Sequence, residues 1–494
     1  MRKKLPIFYS ALLLTGGNLL LRFVGTSFQV YLSSRIGAEG IGLLQLVLSV
    51  GSMALVAGMA GIRTATMYLT AAQIGRKQPQ NVTWVLSGCI LYSLICSGTV
   101  AALVYAFAPQ IAAMWIGNAD TVGAVRMVAA FLPVNCLCGV MVGYFTGANR
   151  ITTLAAVEVA EQLISIVCTM SLLTLWAGSD PARACVSVVF GSALGACLTL
   201  SCLIILRLLE KPITGNRIPI ARSLSDTAIP LALADDLRTG ITTVENLMVP
   251  KRLALYPGTL SPLAAFGTVC GMVFPVLMFP IAILFGLTEI LVPELAQCHA
   301  SESHVRIRYL VRRSLHLALL YGALCGGILY LCAEPLCMRL YGSPEAARYL
   351  KWFAPLAVML YCDAVTDAMI KGLGEQKASV RYNILTNSMD VILLFVLLPR
   401  FGIAGYFASF LVTHVINFGL SIRRLLKTGG VRFPLRIPLL ALFAAVAAVW
   451  VAGFVPQALL RAGAYTAVLG ALWYLTGVIH RSDVLWLRKL IHKK

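Results

Sequence analysis

The stretch "LALADDLRTGITTVENLMV" (residues 231–249) has the length and apolar flanks of a membrane span, and it also carries charges. Within it lie Asp235, Asp236, Arg238 and Glu245. A charge at the centre of a bilayer costs about 2.5–3.5 kcal/mol on insertion scales, so such residues seldom face lipid. The stretch therefore predicts a helix that lines a polar interior.

The rest of the chain has the composition of a membrane protein. Of its 494 residues, 59% are hydrophobic and 12% are charged, which is about half the charged fraction of an ordinary soluble domain. Apolar runs of about 20 residues recur along the chain, each long enough to cross a hydrocarbon core of ~30 Å. Backbone groups in lipid must be hydrogen-bonded within the segment, so the runs predict helices. We predict an all-α polytopic membrane protein with about 14 transmembrane helices. The runs lie at roughly 7–33, 41–70, 83–107, 121–146, 152–176, 182–209, 224–249, 262–290, 310–333, 346–371, 378–399, 403–427, 434–453 and 461–480.

The helices are expected to form two six-helix bundles and an additional C-terminal pair. "FLPVNC" from Phe131 and "FAPLAV" from Phe353 begin similar helix–turn–helix stretches in the two halves. Repeated bundles with a substrate site between them are the usual build of secondary transporters. The predicted parts are the N-terminal bundle 1–210, a cytoplasmic linker 211–223, the C-terminal bundle 224–427, and the helix pair with a basic cytoplasmic tail 428–494.

The basic residues predict the orientation in the membrane. Most of the 40 Lys and Arg residues fall in segments on the side of the N-terminus. By the positive-inside rule, both termini are expected to be cytoplasmic in the cell membrane. The net charge of +20 is spread over many short loops, such as 423–436 and 487–494. We therefore expect these charges to contact anionic lipid headgroups and not nucleic acid.

Polar side chains recur at helical spacing in four of the spans. Residues three, four or seven apart share one face of a helix, so each set forms a stripe, and four inward stripes predict a water-filled central cavity. Asp236 lies about 100° away from the stripe on its own helix. Glu158 and Glu161 on the fifth span are expected to face the cavity or a neighbouring helix. The stripes comprise Thr15, Asn18, Arg22, Thr26 and Gln29; Ser52, Arg63 and Thr70; Asp235, Arg238, Thr242 and Glu245; and Asp363, Asp367 and Lys371.

The bases in this pattern point to an anionic substrate. Arginine suits phosphate because its planar fork binds oxygens bidentately and keeps its proton. We predict that Arg22, Arg63 and Arg238 contact the substrate. Asn18 and Gln29, on the same stripe as Arg22, are expected to add hydrogen bonds.

The acids are candidates for coupling to an ion gradient. Asp235, Asp236 or Glu245 could bind a coupling Na+ or H+, and Asp363 and Asp367 are further cavity acids. Structural alternatives stay open. Asp235 could neutralise Arg238 three residues on, and Lys371 could snorkel to the interface beside the acids of its own helix. We expect no resident cofactor, no metal site and no catalytic group, and a chain that works as a monomer.

Several motifs resemble one family of transporters. "LLLRFVGTSFQVYLSSRIGAEGIGLLQL" (19–46), with "GAEGIGL" (37–43), resembles the first helix and loop of the polysaccharide flippases of the MOP superfamily (multidrug, oligosaccharidyl-lipid and polysaccharide exporters). "EQLI" (161–164) is similar to the helix-five motif of that family. "MVPKRL" (248–253) with "FGTVCGMVFPVLMFP" (266–280) is similar to the helix 7–8 region of the stage V sporulation protein B group.

The resemblance implies a 14-helix, two-lobed transporter that works by alternating access. It implies that polyprenyl-diphosphate-linked saccharides move from the cytoplasmic to the outer leaflet for cell-wall or polysaccharide assembly. Related lipid II flippases use cavity arginines on the diphosphate, and Arg22 occupies the place of the first one. Phe28 stands where a second arginine would be and Ser165 where the sporulation group has one, so lipid II itself need not be the substrate. The pair at 434–480 is expected to help cradle the lipid tail.

Three other classes of protein fit this sequence less well. A cation-coupled multidrug exporter of the same superfamily would have twelve helices and a cavity dominated by acids. A membrane glycosyltransferase or sugar polymerase would need a large external loop, and the predicted external loops, such as 114–124 and 337–348, are short. A scaffold without transport activity would leave the polar stripes unexplained.

Overall fold

The computed structural model describes residues 7–76, 78–178, 180–209, 221–259, 261–431, 434 and 436–479. Every regular element in these ranges is a helix, which confirms the predicted all-α membrane fold. Most of the predicted linker 211–223 and the basic tail after residue 479 lie outside the described residues. The helices are α1 (Ile7–Met59), α2 (Ile62–Gly75), α3 (Val82–Ala106), α4 (Ala108–Gln110), α5 (Val122–Gly147), α6 (Ile151–Leu172), α7 (Pro181–Leu208), α8 (Ala221–Leu253), α9 (Pro262–Gly267), α10 (Phe274–Met278), α11 (Ala282–Ala300), α12 (His304–Leu331), α13 (Ala333–Tyr341), α14 (Pro344–Phe353), α15 (Ala357–Gly372), α16 (Gln376–Phe401), α17 (Ile403–Thr428), α18 (Arg436–Ala452) and α19 (Ala458–Leu475).

The chain packs into two compact units. The first unit contains Met1–Gly271 and Asn387–Gly405, and the second contains Met272–Thr386 and Tyr406–Lys494. The first unit thus holds α1 to α9 and the second half of α16. The predicted division into two six-helix bundles and an added pair stays a prediction.

The first two predicted spans are joined in one helix that is kinked between them, and the second span is itself broken. α1 is kinked at Gly37 (φ 68°), and the second span is broken at Ala60 (φ 42°) and Gly61 (φ 71°), after which α2 begins. Left-handed backbone is open to glycine but costs other residues about 1–2 kcal/mol. A Cβ atom at Gly61 would also lie 2.4 Å from the carbonyl oxygen of Ala228. The chain therefore enters α2 through a tight break packed against α8.

The second unit has an aromatic core. The ring of Phe353 packs edge-on against Phe274 and Phe407, with centroids 5.3 Å apart in both cases. Phe410 lies 5.6 Å from the same ring. Such edge-to-face pairs stabilise a core beyond the area that they bury. They fix α10, α14 and α17 together.

The α18 helix buries its small side chains and exposes its large ones. Ala441, Ala444 and Ala448 are buried, whereas Phe443 is 73% exposed and Trp450 is 69% exposed. Small residues at helix contacts let backbones approach closely in membrane proteins. Large apolar side chains pointing outward fit a lipid surrounding, so α18 has the composition of a membrane helix.

The α19 helix is fixed to α12 by a buried tyrosine. The Tyr465 ring is fully buried, and its hydroxyl donates to the carbonyl of Ala323 at 2.8 Å. Gly327 makes room for that ring, because a Cβ there would lie 2.1 Å from it. Arg461 adds hydrogen bonds to the carbonyls of Val455 (2.8 Å) and Leu331 (3.2 Å). The last helix is therefore held at defined contacts within the second unit.

Ten of the described helical segments are long and apolar enough to cross a membrane, and eleven if a bent pair is one span. The segment Leu19–Gly75 counts once although it contains the kink at Gly37. The charges on α8 and the 17-residue length of α18 leave both outside this count. The figure of fourteen thus stays a prediction.

Candidate substrate and coupling sites

A polar cavity of about 610 Å³ lies within the first unit. It is partly open and is lined by residues of α1, α2, α5, α6 and α7. Its charged and aromatic lining comes from different helices, which no single stretch of sequence brings together. The polar and aromatic residues that line it are Phe28, Arg63, Asn135, Glu158, Glu161, Gln162, Ser165, Thr169, Ser192 and Thr199.

Arg63 is the cation of this cavity. It lies in the first turn of α2, immediately after the break, and its side chain is exposed to the cavity. The carboxylate of Glu158 on α6 is close enough to attract its guanidinium electrostatically. Arg63 thus lies beside the polar side chains of the cavity, with hydrogen-bond donors accessible to an anion.

The second acid of the cavity is already hydrogen-bonded. The Thr199 hydroxyl on α7 donates to the Glu161 carboxylate at 2.6 Å. Gln162 donates from Nε2 to the carbonyl of Leu21 at 3.1 Å, which ties α6 to α1. Two acids and one arginine therefore share the cavity. An anion bound there must compete with Glu158 for Arg63.

The α6 and α7 helices touch backbone to backbone along one wall of this cavity. A Cβ at Gly191 would lie 2.9 Å from the carbonyl oxygen of Ser165, and one at Gly195 would lie 3.1 Å from that of Glu161. Only glycine permits this approach without displacing a helix. The wall that carries the two acids is consequently a rigid pair.

The other predicted substrate residues occupy different places. Arg22 is half-buried on α1, next in sequence to Leu21, which lines the cavity. Gln29 donates from Nε2 to the carbonyl of Gly271 at 3.2 Å, so this side chain holds a backbone segment. Arg238 is exposed on α8. The side chain of Asn18 lies outside the described side chains.

The acids of α8 separate into two groups. Asp235 is exposed and Asp236 is half-buried near the N-terminal half of the helix. Glu245, by contrast, is in hydrogen-bond contact with the carboxyl group of Asp390 on α16. Two bare carboxylates at this separation repel each other, so the pair needs a proton or another cation between them. Asp390 was not among the predicted acids; it is a lone acid ahead of the apolar run "VILLFVLL".

Hydrogen bonds hold this part of α8 in place. Asn246 donates to the Ser49 hydroxyl at 3.0 Å, and the Thr243 hydroxyl donates to the Ser49 carbonyl at 3.2 Å. Both partners belong to α1. The carboxyl group of Glu245 is therefore presented to Asp390 from a fixed helix.

The predicted acids of the second unit belong to a separate polar network. Asn417 donates from Nδ2 to Asp363 at 3.1 Å, and the Thr386 hydroxyl donates to the amide oxygen of Asn417 at 3.5 Å. Asp367 forms an ion pair with Lys371 at 2.6 Å and accepts a hydrogen bond from the hydroxyl of Ser379. Asp363 thus has a neutral hydrogen-bond donor, whereas Asp367 has a cation on its own helix.

Comparisons with known proteins agree on one family. The MatE family model matches residues 15–172 and 256–396, more than half of the chain. Stage V sporulation protein B of Bacillus subtilis (strain 168) is 23% identical over 406 residues, which cover 80% of this chain and 78% of that protein. Sporulation protein YkvU of the same organism is 20% identical over 280 residues, covering 55% of this chain and 62% of that protein.

Solved structures show the same fold at low sequence identity. The lipid II flippase MurJ, in an inward closed conformation, is similar with a TM-score of 0.67 and 13% identity over 97% of this chain and all of that one. An inward-facing multidrug resistance MATE family transporter gives a TM-score of 0.66 and 15% identity over 83% of this chain and 95% of that one. The chain is therefore a member of the MatE family, within the MOP superfamily of membrane transporters.

Proposed function

We propose that this protein is a flippase that moves polyprenyl-diphosphate-linked saccharides from the inner to the outer leaflet by alternating access. Cell-wall or polysaccharide assembly would consume the product. The similarity to a stage V sporulation protein and to the fold of a lipid II flippase supports this proposal. The observation that carries it is the placement of Arg63, whose side chain is exposed within a polar cavity of the first unit.

In this proposal, Arg63 binds the diphosphate, which replaces the electrostatic attraction of Glu158 for its guanidinium. A guanidinium fork matches two phosphate oxygens at once, which gives both affinity and orientation. The amides and hydroxyls of the same cavity would donate hydrogen bonds to the saccharide and accept hydrogen bonds from it. Arg22 and Arg238 are proposed as further contacts to the diphosphate, with Asn18 and Gln29 in support.

We further propose that transport is coupled to H+ or Na+ at the pair formed by Glu245 and Asp390. Their carboxyl groups are in contact, so one cation bound between them removes their mutual repulsion. Asp236 and Asp363 are additional candidates, since each has a buried oxygen for which the described residues provide no hydrogen-bond partner. Asp235 and Asp367 would tune the local charge.

The proposal can be tested on Arg63 with a matched arginine. Arg126 also lies in an apolar span with an exposed side chain, but it stacks over Tyr105 at 5.3 Å and is not part of the cavity lining. We expect purified wild type and Arg126→Ala to retain a co-purifying polyprenyl-diphosphate saccharide, and Arg63→Ala to lose at least about nine-tenths of it. Native mass spectrometry measures the bound lipid, and equal retention in both variants would remove Arg63 from the site.

One observation favours a second candidate, a cation-coupled multidrug exporter. Glu158 and Glu161 both line the cavity, and carboxylates suit cationic substrates. The same mass spectrometry experiment separates the two functions. Only bulk phospholipid on wild type and on both variants, together with tight binding of added cationic dyes, would favour the exporter.

A further inference from the structure

The α2 helix, which carries Arg63, rests directly on the backbone of α5. A Cβ at Gly143 would lie 2.4 Å from the carbonyl oxygen of Arg63, and one at Gly147 would lie 2.5 Å from that of Met67. These two glycines are four residues apart and therefore lie on the same face of α5. Their lack of a side chain sets how closely the two helices approach.

The start of α2 is also held from two other sides. Gly61 packs against the α8 backbone at Ala228. Tyr92 on α3 donates its hydroxyl to the carbonyl of Ala60 at 3.3 Å, which satisfies an acceptor freed by the break. The turn that bears Arg63 is thus enclosed by α3, α5 and α8.

We propose that Gly143 is a positioning residue for substrate binding. Because Gly143 has no side chain, the Arg63 carbonyl can contact the α5 backbone. This contact fixes how far the Arg63 guanidinium reaches into the cavity. The inference rests on the proposed function, because that function assigns the diphosphate to Arg63. Gly143 itself touches no substrate.

A methyl group at this position has a definite consequence. Ordinary contact begins at about 3.4 Å, so Gly143→Ala must move the first turn of α2 away from α5 by roughly 1 Å. The obstacle is backbone and cannot rotate aside. A displacement of about 1 Å in a contact group degrades a site markedly, and we expect the affinity for a diphosphate to fall about tenfold.

Two other glycines on the same face of α5 supply controls. Gly147→Ala meets the Met67 carbonyl at nearly the same distance but one turn farther from Arg63, so it should cost similar stability without moving the guanidinium. Gly139→Ala meets the flexible Cε and Sδ atoms of Met59, at 2.9 and 3.4 Å, and leaves the Arg63 Cβ at an ordinary 3.9 Å. Gly139 itself lines the cavity, so this variant is a control for stability, which we expect to match wild type.

The experiment titrates the purified full chain in lipid nanodiscs with farnesyl diphosphate and, separately, with uncharged farnesol. We expect Gly143→Ala to lose about tenfold in affinity for the diphosphate and nothing for farnesol. Gly147→Ala should keep its diphosphate affinity within about twofold. In an Arg63→Ala background, Gly143→Ala should have no further effect on binding, because its target is absent.

The outcomes separate this inference from the proposed function. If Arg63→Ala binds the diphosphate like wild type, the proposed role of Arg63 fails. If Arg63→Ala weakens binding but Gly143→Ala and Gly147→Ala behave alike, only the positioning role fails. If Gly143→Ala does not fold, Arg63→Lys is used to test whether the position of the cation matters. Lysine keeps the positive charge but lacks the planar guanidinium and its longer reach. Undiminished diphosphate affinity in Arg63→Lys would overturn the idea that depth and orientation matter.

Discussion

The contact between Glu245 and Asp390 joins an acid that the sequence predicts as a coupling residue to one that it does not. Glu245 was predicted as a coupling acid because it is a charge within a span. Asp390 escaped notice because a single acid in an apolar run has no partner at helical spacing on its own helix. Its partner lies on α8, and no periodicity within α16 encodes that contact. Asp390 is buried, which makes an unshared negative charge there unfavourable.

Substitutions at this pair should separate coupling from binding. We expect Glu245→Gln and Asp390→Asn each to abolish the response of transport to an imposed H+ or Na+ gradient, since a neutral amide neither exchanges a proton nor balances the charge of a bound cation. Binding of farnesyl diphosphate should stay within about twofold of wild type. Flipping of a labelled polyprenyl-diphosphate lipid in proteoliposomes, with and without a gradient, measures the effect.

Asp235 provides the control for this experiment, because it is an exposed acid on the same helix. Asp235→Asn should retain most of the gradient response. A response that persists in both Glu245→Gln and Asp390→Asn would place the coupling site elsewhere.

At the scale of helices, the sequence predicts the helical fold and does not predict where the helices are interrupted. The charged helix at 231–249 lies within α8, as predicted. The break at Ala60 and Gly61 was not predicted, because glycine is common inside membrane helices and hydropathy does not change there. The packing role of the α5 glycines could not be predicted from one sequence either, since it depends on the backbone that packs against them.

The contact between α12 and α19 makes a prediction about stability. Tyr465→Phe removes one buried hydrogen bond and should lower the free energy of unfolding by about 1 kcal/mol. Gly327→Ala should cost more, because its methyl group would overlap the Tyr465 ring. Thermal unfolding of both variants in the same detergent tests this order.

Thr466→Ala serves as the control, because the Thr466 hydroxyl is exposed and bonds only within its own helix. We expect its midpoint of unfolding to match wild type. An equally small change in Gly327→Ala would mean that α19 is not fixed by the tyrosine.

For the whole molecule, composition alone predicts a polytopic helical membrane protein, because hydrocarbon tolerates little else. The candidate site is a different matter. Arg63 and Glu158 were both noticed in the sequence, but nothing in one chain shows that they share a cavity. Arg22, Arg63 and Arg238 were grouped by residue type, whereas in the structure Arg63 lines the cavity wall. Packing between distant helices decides such groupings.

The orientation of the molecule gives a prediction for intact cells. We expect epitope tags at both termini to be protected from external protease, because most Lys and Arg residues fall in segments predicted to share their side of the membrane. A tag inserted at Asn118, in the short connection before α5, should be cleaved. Immunoblots before and after lysis measure protection, and cleavage of either terminal tag in intact cells would reverse the proposed topology.

The backbone contact of α6 with α7 has a consequence for the range of cargo. With α2 seated in the same way on α5, close backbone contacts hold two of the helix pairs that line this cavity of about 610 Å³. That volume is typical of a site for a drug-sized molecule. It suffices for a diphosphate and the first sugars attached to it, and a longer polymer would have to extend outside. We therefore expect the protein to select its substrate by the sugars at the reducing end of the glycan. The length of the glycan beyond those sugars should not affect transport.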